Sequence, residues 1–316
     1  MDGILIIDKP VGYTSHDVVA RLRGILKTKR IGHTGTLDPF ATGVLVMLVG
    51  KATRLAQFLD KDAKEYEATI RFGFETDTGD RTGELRITNY ELRDFSDDEL
   101  EKVLASFRGE IEQMPPMYSA KKIDGVKLYE LARKGVEVER KAVTVTIYEL
   151  ETIQPQRTQR NTEEDKLQNQ TNHSPLTTHH YALRVACSAG TYIRTLAEDI
   201  GRRIGTGAHL AELRRTRAGK FDLSKALTIE ALENVVHENK LGDYLISMNE
   251  AVSHLPKAVL NEAEINNVRN GKRLRFEIEA AENNQPVRMI DKAENLIAIG
   301  FYLREEKSVQ PKLVLI

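Results

Sequence analysis

Apolar and polar residues alternate over several short stretches of the chain, and this two-residue period predicts β-strands. In residues 65–74 one face is apolar throughout, formed by Tyr66, Ala68, Ile70, Phe72 and Phe74. Residues 143–147 and 183–187 alternate in the same way, and we expect them to pair as neighbouring strands. Continuous apolar runs at 3–7 and 44–49 predict two buried strands.

Helices are predicted where apolar residues recur every three or four positions behind a residue that can cap a helix. Ser15 can cap the first of these segments, and Ser96 opens a capping box with Glu99. The predicted helices cover 15–27, 96–107, 192–204 and 228–238, with a short helix around Leu128. Because strands and helices do not alternate regularly, the pattern favours an α+β fold over a doubly wound parallel sheet.

The pattern changes at two places along the chain. Residues 154–180 contain only two apolar residues, Leu167 and Leu176, and cannot bury enough surface to order themselves. We therefore predict a mobile insertion there. From Met248 onward short strands replace the mixed pattern, so we predict a larger domain over 1–247 and a smaller β-rich domain over 248–316.

Composition and charge narrow the class of protein. The chain has 316 residues, 41% of them hydrophobic, and a net charge of −1, so no global basic excess indicates nucleic acid. The charge is uneven, because residues 8–54 contain eight lysines and arginines against three acids, and residues 202–220 contain six against one. Such basic stretches are typical of phosphate contact, and a solvated surface is the plainer alternative.

The single cysteine and the apolar runs bear on where the protein resides. Cys187 excludes an intramolecular disulfide and a cysteine-cluster metal site, and its alternating strand predicts a small buried side chain. The first residues lack the basic start and apolar core of a signal peptide. No run reaches the roughly 18 apolar residues of a membrane span. We expect a soluble, cytoplasmic protein without membrane association.

Residues 32–43 form the most unusual segment, with three glycines, one proline, one histidine and one aspartate. Glycine lets the backbone adopt positive φ, and Pro39 biases Asp38 toward an extended conformation. This composition predicts a carboxylate presented on a stiff loop directly before a strand, which is how scaffolds often hold catalytic groups. Asp38 could equally cap a helix that begins at Pro39, although Gly43 would interrupt that helix within a turn.

Other candidate residues have ordinary explanations when each is taken alone. Arg194 could pair with Glu198 four positions later, Tyr66 could be a core tyrosine, and His33 could be a solvated loop histidine. The His and Asp residues between positions 16 and 38 lack the spacing of helical metal ligands, and Asp77 begins a calcium-like loop without its final Glu. We expect neither a metal site nor an organic cofactor.

Five segments taken together resemble the tRNA pseudouridine synthase B family. They follow the order and spacing of that family over most of the chain, and the string GHTGxLDP is highly specific. The segments are 3–12 (GILIIDKPVG), 30–39 (RIGHTGTLDP), 64–66 (KEY), 187–196 (CSAGTYIRTL) and 213–215 (LRR). The resemblance implies a pseudouridine-synthase-like mixed, mainly antiparallel sheet with flanking helices, and a C-terminal module similar to the PUA RNA-binding domain.

The resemblance also implies an activity, the isomerisation of the T-loop uridine at position 55 of tRNA to pseudouridine by base flipping, with no cofactor. Asp38 would be the catalytic nucleophile, Arg194 its ion-pair partner, and Tyr66 would stack on the target base. Four further positions match residues at the substrate: Tyr192 and Leu213 in the base pocket, His33 in the space left by the extruded uridine, and Lys9 near the site. Residues 117–142 match a loop that closes over the RNA arm.

Physical chemistry agrees with these roles. An aspartate can act as a covalent nucleophile, and a neighbouring arginine would lower its pKa by about 1–3 units and keep it ionised. Three routes stay open, in which Asp38 attacks the base, attacks the sugar, or acts as a base toward the sugar. The family has a short turn where this chain has its insertion at 154–180, and no matched catalytic position falls inside the insertion.

Two other functions are also compatible with parts of the sequence. The basic stretches and the C-terminal domain would also suit an RNA chaperone that refolds the T arm. A guide-RNA-dependent synthase in a ribonucleoprotein is the other, and the continuous basic insert at 121–141 argues against it. We therefore expect tRNA, through its T stem-loop, as the partner of a monomer that needs no other protein.

Overall fold

The computed structural model describes residues 1–86, 93–119, 121–123, 125–132, 134–136, 138–153, 180–279 and 281–316. Its strands are β1 (Gly3–Lys9), β2 (Ile31–Thr34), β3 (Thr42–Val49), β4 (Lys64–Phe72), β5 (Glu75–Thr76), β6 (Leu85–Arg86), β7 (Gly109–Gln113), β8 (Lys122–Ile123), β9 (Val126–Lys127), β10 (Val143–Thr152), β11 (His180–Cys187), β12 (Ala208–Ala218), β13 (Phe221–Asp222), β14 (Ala226–Leu227), β15 (Lys257–Val259), β16 (Leu274–Arg275), β17 (Pro286–Ile290), β18 (Leu296–Leu303) and β19 (Ser308–Val314). Its α-helices are α1 (Ser15–Ile25), α2 (Ala56–Leu59), α3 (Asp97–Ser106), α4 (Leu128–Ala132), α5 (Ile193–Ile204), α6 (Ile229–His237), α7 (Met248–Ala251) and α8 (Glu262–Arg269).

The larger of the two main sheets is mixed and mainly antiparallel. Its strand order is β14-β1-β3-β12-β4-β11-β10-β7, with β2 on β3 and β13 on β12. The pairs β1–β14 and β3–β12 are parallel, and the other neighbours run antiparallel. Helices flank this sheet, so the predicted α+β class is confirmed.

Most predicted elements lie where the periodicity put them. β10 and β11 pair antiparallel with Ile147 opposite Cys187, and Cys187 is buried as predicted. β4 buries alternate residues but ends at Phe72, since Gly73 has a φ of +114° and turns the chain. Phe74, predicted on the same face, lies beyond the strand. β2 was not predicted, because three of its four residues belong to the glycine-containing segment 32–43.

The start of α1 differs from the prediction by one residue. The N-cap is Thr14, whose hydroxyl accepts from the Asp17 amide, while the Asp17 carboxylate accepts from the Thr14 amide. Ser15, predicted as the cap, points its hydroxyl at the loop that follows β2.

A second, five-stranded sheet forms the C-terminal part in the order β15-β17-β18-β19-β16, and α8 packs on it. Its apolar residues join the core of the larger sheet, where Ile299 and Leu313 share one cluster with Ile4 and Val46. The division at 247/248 stays a prediction. Residues 154–179 of the predicted insertion lie outside the described residues. No helix in the described part of the chain is long and apolar enough to cross a bilayer.

The shared core predicts that the C-terminal sheet stabilises the larger one. Ile299 is fully buried between the two sheets. We expect Ile299→Ala to lower the free energy of unfolding by about 2–5 kcal/mol in urea titrations, because the substitution leaves a cavity. Val259→Ala, at an exposed position of the same domain, is the matched control. Equal losses from both variants would contradict the shared core.

Candidate active site

Asp38 lies on the irregular loop between β2 and β3, and apolar residues anchor this loop on both sides of it. The side chains of Leu37 and Phe40 are buried. The Ala41 amide donates to the Asp38 carbonyl at 3.1 Å, which closes a turn with Pro39 at its second position. The turn leads directly into β3, so Asp38 does not cap a helix.

Two elements before the loop hold its backbone. Ser15 Oγ accepts from the Leu37 amide at 2.9 Å and donates to the Leu37 carbonyl at 3.3 Å. The Gly12 amide donates to the Pro39 carbonyl at 2.8 Å. The start of α1 and the turn that follows β1 therefore fix the residues on either side of Asp38.

Lys9 contributes to the same scaffold from inside the protein. It is fully buried, and its Nζ donates to the carbonyl oxygens of Pro10 (2.9 Å), Tyr13 (2.6 Å) and Pro39 (3.3 Å). Burial lowers the pKa of Lys9 to about 8, and the charge of Asp38 opposes that shift. Lys9 is thus close to the site, as expected, while its amine is engaged with the loop.

Arg215 holds the loop from the side of β12. Its side chain is buried, with Nε donating to the Val44 carbonyl at 2.7 Å and Nη2 to the Gly35 carbonyl at 2.8 Å. Gly43 has a φ of +99°, and a Cβ there would overlap the Arg215 backbone. The close approach of β3 and β12 behind Asp38 therefore requires glycine at this position.

The guanidinium of Arg194, in the first turn of α5, contacts Asp38 at two points. Nε lies 3.0 Å from Asp38 Oδ2 and Nη2 lies 3.3 Å from Oδ1. The Arg194 side chain is 7% exposed and the Asp38 side chain 35% exposed. The alternative pair with Glu198 is not formed, because Glu198 lies nearer Arg202.

Further acceptors complete the surroundings of Arg194. Nη1 donates to the Thr78 carbonyl at 3.1 Å and lies 3.5 Å from Oδ2 of the buried Asp80, while Nη2 donates to the Tyr118 carbonyl at 2.6 Å. These acceptors come from the turn after β5 and from the segment after β7. The guanidinium therefore has a fixed orientation, with one edge toward Asp38.

Opposing effects act on the pKa of Asp38. Burial raises the pKa of the Asp38 carboxyl above its ordinary value, and the nearby Asp80 adds to the rise. Arg194 lowers the pKa, as the sequence predicted for a neighbouring cation, and Lys9 does the same. Burial, which the sequence did not show, is the larger effect, so the pKa of Asp38 is raised.

A cavity of about 280 Å³ opens in front of Asp38. Tyr66 of β4 lies in its wall and is 8% exposed, and burial raises the pKa of its phenol. Five predicted site residues line the cavity together: Asp38, Tyr66, Tyr192, Arg194 and Leu213. It also contains residues that the sequence did not single out for it: Lys64, Ser119, Lys121, Ser188, Thr191 and Arg215.

His33 and Lys9 lie outside this cavity. His33 faces a neighbouring cavity of about 270 Å³, also lined by Gln57 and Asp60, and its ring meets the exposed His16 edge-on with centroids 5.5 Å apart. His33 Nδ1 is buried without a hydrogen-bond partner among the described residues. Burial lowers the pKa of His33, so the ring is neutral near pH 7.

Sequence reasoning missed Asp80 and Arg215 as site residues. Asp80 was considered only as part of a calcium-like loop, although its polar segment directly follows a strand end. Arg215 was assigned to the basic run at 202–220, although it shares a strand face with the apolar Leu213. That run is not one exposed basic surface, because Arg214 pairs with Asp8 at 2.8 Å and Arg217 pairs with Glu65.

Within the described residues, no group of three or more His, Cys, Asp or Glu side chains has an arrangement that could hold a metal ion.

Comparison with known proteins gives consistent matches. Residues 23–193 match the profile of the TruB family pseudouridylate synthase N-terminal domain, and residues 194–253 match the tRNA pseudouridylate synthase B C-terminal domain. The tRNA pseudouridine synthase B of Solibacter usitatus is 40% identical over 301 residues, 95% of each chain. The Bacillus cereus protein of that name is 42% identical over 299 residues, 95% of this chain and 92% of its own.

Solved structures extend the match to the whole fold. A chain of a Cbf5-Nop10-Gar1 complex has a TM-score of 0.71 and 27% identity, covering 99% of this chain and 85% of its own. An H/ACA RNP bound to a substrate RNA containing 2′-deoxyuridine gives 0.70 and 26%, with coverage of 99% and 85%. Taken with the profile matches, these similarities show that the chain belongs to the TruB family of pseudouridylate synthases.

Proposed function

We propose that this enzyme isomerises uridine to pseudouridine in tRNA, that its target is uridine 55 of the T loop, and that it acts as a monomer without guide RNA or protein partner. The two-point contact between Arg194 and Asp38 at the wall of a cavity carries the proposal. Relatives named tRNA pseudouridine synthase B are 40–42% identical, against 26–27% for the H/ACA proteins, which favours tRNA as the substrate. A tRNA substrate favours the cytoplasm as the place of action.

The reaction exchanges one bond between the ribose and its base. The N1–C1′ bond breaks and a C5–C1′ bond forms, while C5 loses a proton and N1 gains one, so the composition of the RNA is unchanged. The ionised Asp38 carboxylate is the reactive group, whether it attacks the base, attacks C1′ or removes a proton from the sugar. The cavity holds the freed uracil while it turns.

Arg194 orients Asp38 and favours its ionised form. Because the guanidinium is bound to the carbonyl oxygens of Thr78 and Tyr118, it needs little rearrangement when the substrate arrives. A preorganised charge in a site from which water is excluded is worth more than the same charge in water. Arg194 therefore offsets part of the effect of burial on Asp38.

The target uridine has to leave the RNA stack to reach the cavity. Extruding a base costs a few kcal/mol, and stacking on an aromatic side chain returns about 1–3 kcal/mol. Tyr66 is the stacking partner in this proposal, and Tyr192 and Leu213 enclose the base. His33 occupies the space that the uridine leaves.

Lys9 acts on the reaction through the loop that carries Asp38. Its amine is engaged with three carbonyl oxygens and is fully buried, so the proposed role is positioning and not phosphate contact.

Residues 117–142 and 248–316 are proposed as further RNA contacts. Within the first segment β8 pairs with β9, and α4 contacts β9. Ser119 and Lys121, before β8, line the cavity, and the Tyr118 carbonyl binds Arg194 directly. Closure of this segment over RNA would therefore be linked to the position of Arg194. The second segment is the PUA-like domain of the family.

Incubation of the purified chain with an unmodified tRNA transcript tests the proposal, with pseudouridine mapped by chemical reactivity. We expect one pseudouridine, in the T loop, and the same product from an isolated T-arm stem-loop. A chain that modifies RNA only when guide RNA or another protein is added would contradict stand-alone action. A chain that refolds tRNA without forming pseudouridine would be an RNA chaperone.

Asp38→Asn should abolish the reaction while leaving RNA binding intact, because the amide keeps the shape of the carboxylate and loses its reactivity. We expect the single-turnover rate to fall by at least about 10³-fold, since this group acts in the transition state. Asp98→Asn, at an exposed position of α3, is the matched control. Substantial activity in the Asp38 variant would refute its role as the reactive group.

Two substitutions beside Asp38 should shift the acid limb of the pH–rate profile in opposite directions. Because only ionised Asp38 reacts, the rate falls as the pH drops through its pKa. Arg194→Gln removes a charge that lowers this pKa, so the acid limb should move to higher pH by roughly 1–3 units. Asp80→Asn removes a charge that raises the pKa, so the limb should move to lower pH.

Single-turnover rates on a T-arm stem-loop between pH 4 and 8 would locate the acid limb of each variant and of the wild type. Limbs that coincide with that of the wild-type enzyme, or that move in the same direction, would contradict this electrostatic account.

A further inference from the structure

Ser119 lies in the wall of the cavity in front of Asp38, and its hydroxyl is buried there without a hydrogen-bond partner among the described residues. It follows Tyr118, whose carbonyl accepts from Arg194 at 2.6 Å, so its backbone is held beside the catalytic pair. Ser119 is 5% exposed and lines the cavity. Buried hydroxyl groups are rarely left without a partner, so this one calls for an explanation.

Several other polar side chains around the cavity are already engaged with the protein. Lys64 Nζ donates to the carbonyl oxygens of Asp60 at 2.5 Å and Asp62 at 2.6 Å, and Thr191 Oγ1 donates to that of Ser188 at 2.9 Å. Arg194 and Arg215 have the partners described above. The Ser119 hydroxyl differs from these groups because it can still form a bond with a bound base.

We propose that Ser119 Oγ donates a hydrogen bond to a carbonyl oxygen of the flipped uracil and is a substrate-contact residue, an assignment that rests on the proposed function. Uracil presents O2, N3–H and O4 along one edge. A half-turn about the N3–C6 axis exchanges N1 with C5 and O2 with O4, so this edge looks the same before and after the turn. A serine hydroxyl rotates freely and can donate to either oxygen.

The contact has a specific consequence for the reaction. The freed base is held by the same hydroxyl in the starting orientation, through one carbonyl, and in the product orientation, through the other. Ser119 thus helps to retain the uracil in the cavity without favouring one orientation over the other. Its loss should slow the isomerisation while leaving the binding of the RNA arm unchanged, because the contact forms only after the base has left the stack.

Ser119→Ala tests the assignment on a T-arm stem-loop. We expect the single-turnover rate to fall about three- to ten-fold, as for the loss of one neutral hydrogen bond, with RNA affinity within about two-fold of the wild type. Ser308→Ala is the matched control, because Ser308 is also buried with an unpartnered hydroxyl but lies in β19 of the C-terminal sheet. That control should leave the rate unchanged.

A double-mutant cycle separates substrate contact from a purely structural role. Stem-loops with 2-thiouridine or 4-thiouridine at the target carry a weaker acceptor in place of one carbonyl. We expect at least one of them to slow the wild-type enzyme more than the Ser119→Ala variant, since coupled partners are not additive. Additive effects with both stem-loops would overturn the assignment. Ser119→Cys, nearly the same size with a weaker donor, should react at a rate between those of the wild type and the alanine variant.

The outcomes distinguish this assignment from the proposed function. A wild-type chain that forms no pseudouridine in tRNA would refute the function itself. If the wild-type chain is active and the Ser119→Ala and Ser119→Cys variants both react at the wild-type rate, only the role of Ser119 is refuted.

Discussion

The two-point contact of Arg194 with Asp38 is the interaction on which the site depends. Nη1 and Nη2 of the guanidinium donate to one Asp80 oxygen, one Asp38 oxygen and the carbonyl oxygens of Thr78 and Tyr118, and Nε forms an ion pair with the second Asp38 oxygen. A buried guanidinium is tolerated when its charge is paired and its donors are satisfied, and breaking such a pair is costly. The same contacts therefore stabilise the arginine and direct the carboxylate toward the cavity. A lysine, with one nitrogen, could not make them.

Two buried charged side chains bind the backbone of the loop that carries Asp38. Lys9 and Arg215 are both almost fully buried, and both donate to carbonyl oxygens in or beside residues 35–44. Charged groups are rarely placed in a core, because apolar residues pack there without a desolvation cost. Their presence here is consistent with a site in which one carboxylate is held in position at some cost in stability.

The predicted elements were correct where a single face of a helix or strand is buried. β4, β10, β11 and α5 each bury one apolar face, so their periodicity appears directly in the sequence. Charge patterning was less informative. The run at 202–220 is dense in arginine, but successive residues along β12 point to opposite faces. Carboxylates from β1 and β4 pair with Arg214 and Arg217. A linear count of charges contains no information about those partners.

The sequence alone indicated the family, through five segments in a fixed order, and it predicted a stiff loop around Asp38, because glycine and proline set the backbone conformations open to residues 32–43. The tertiary structure brings Arg194, 156 residues away, to Asp38, a contact that the sequence predicted only through its resemblance to the family. The tertiary structure also placed Asp80 and Ser119 beside the site, and it determined that the pKa of Asp38 is raised. These properties depend on which distant segments exclude water from one carboxylate, and no local pattern records that.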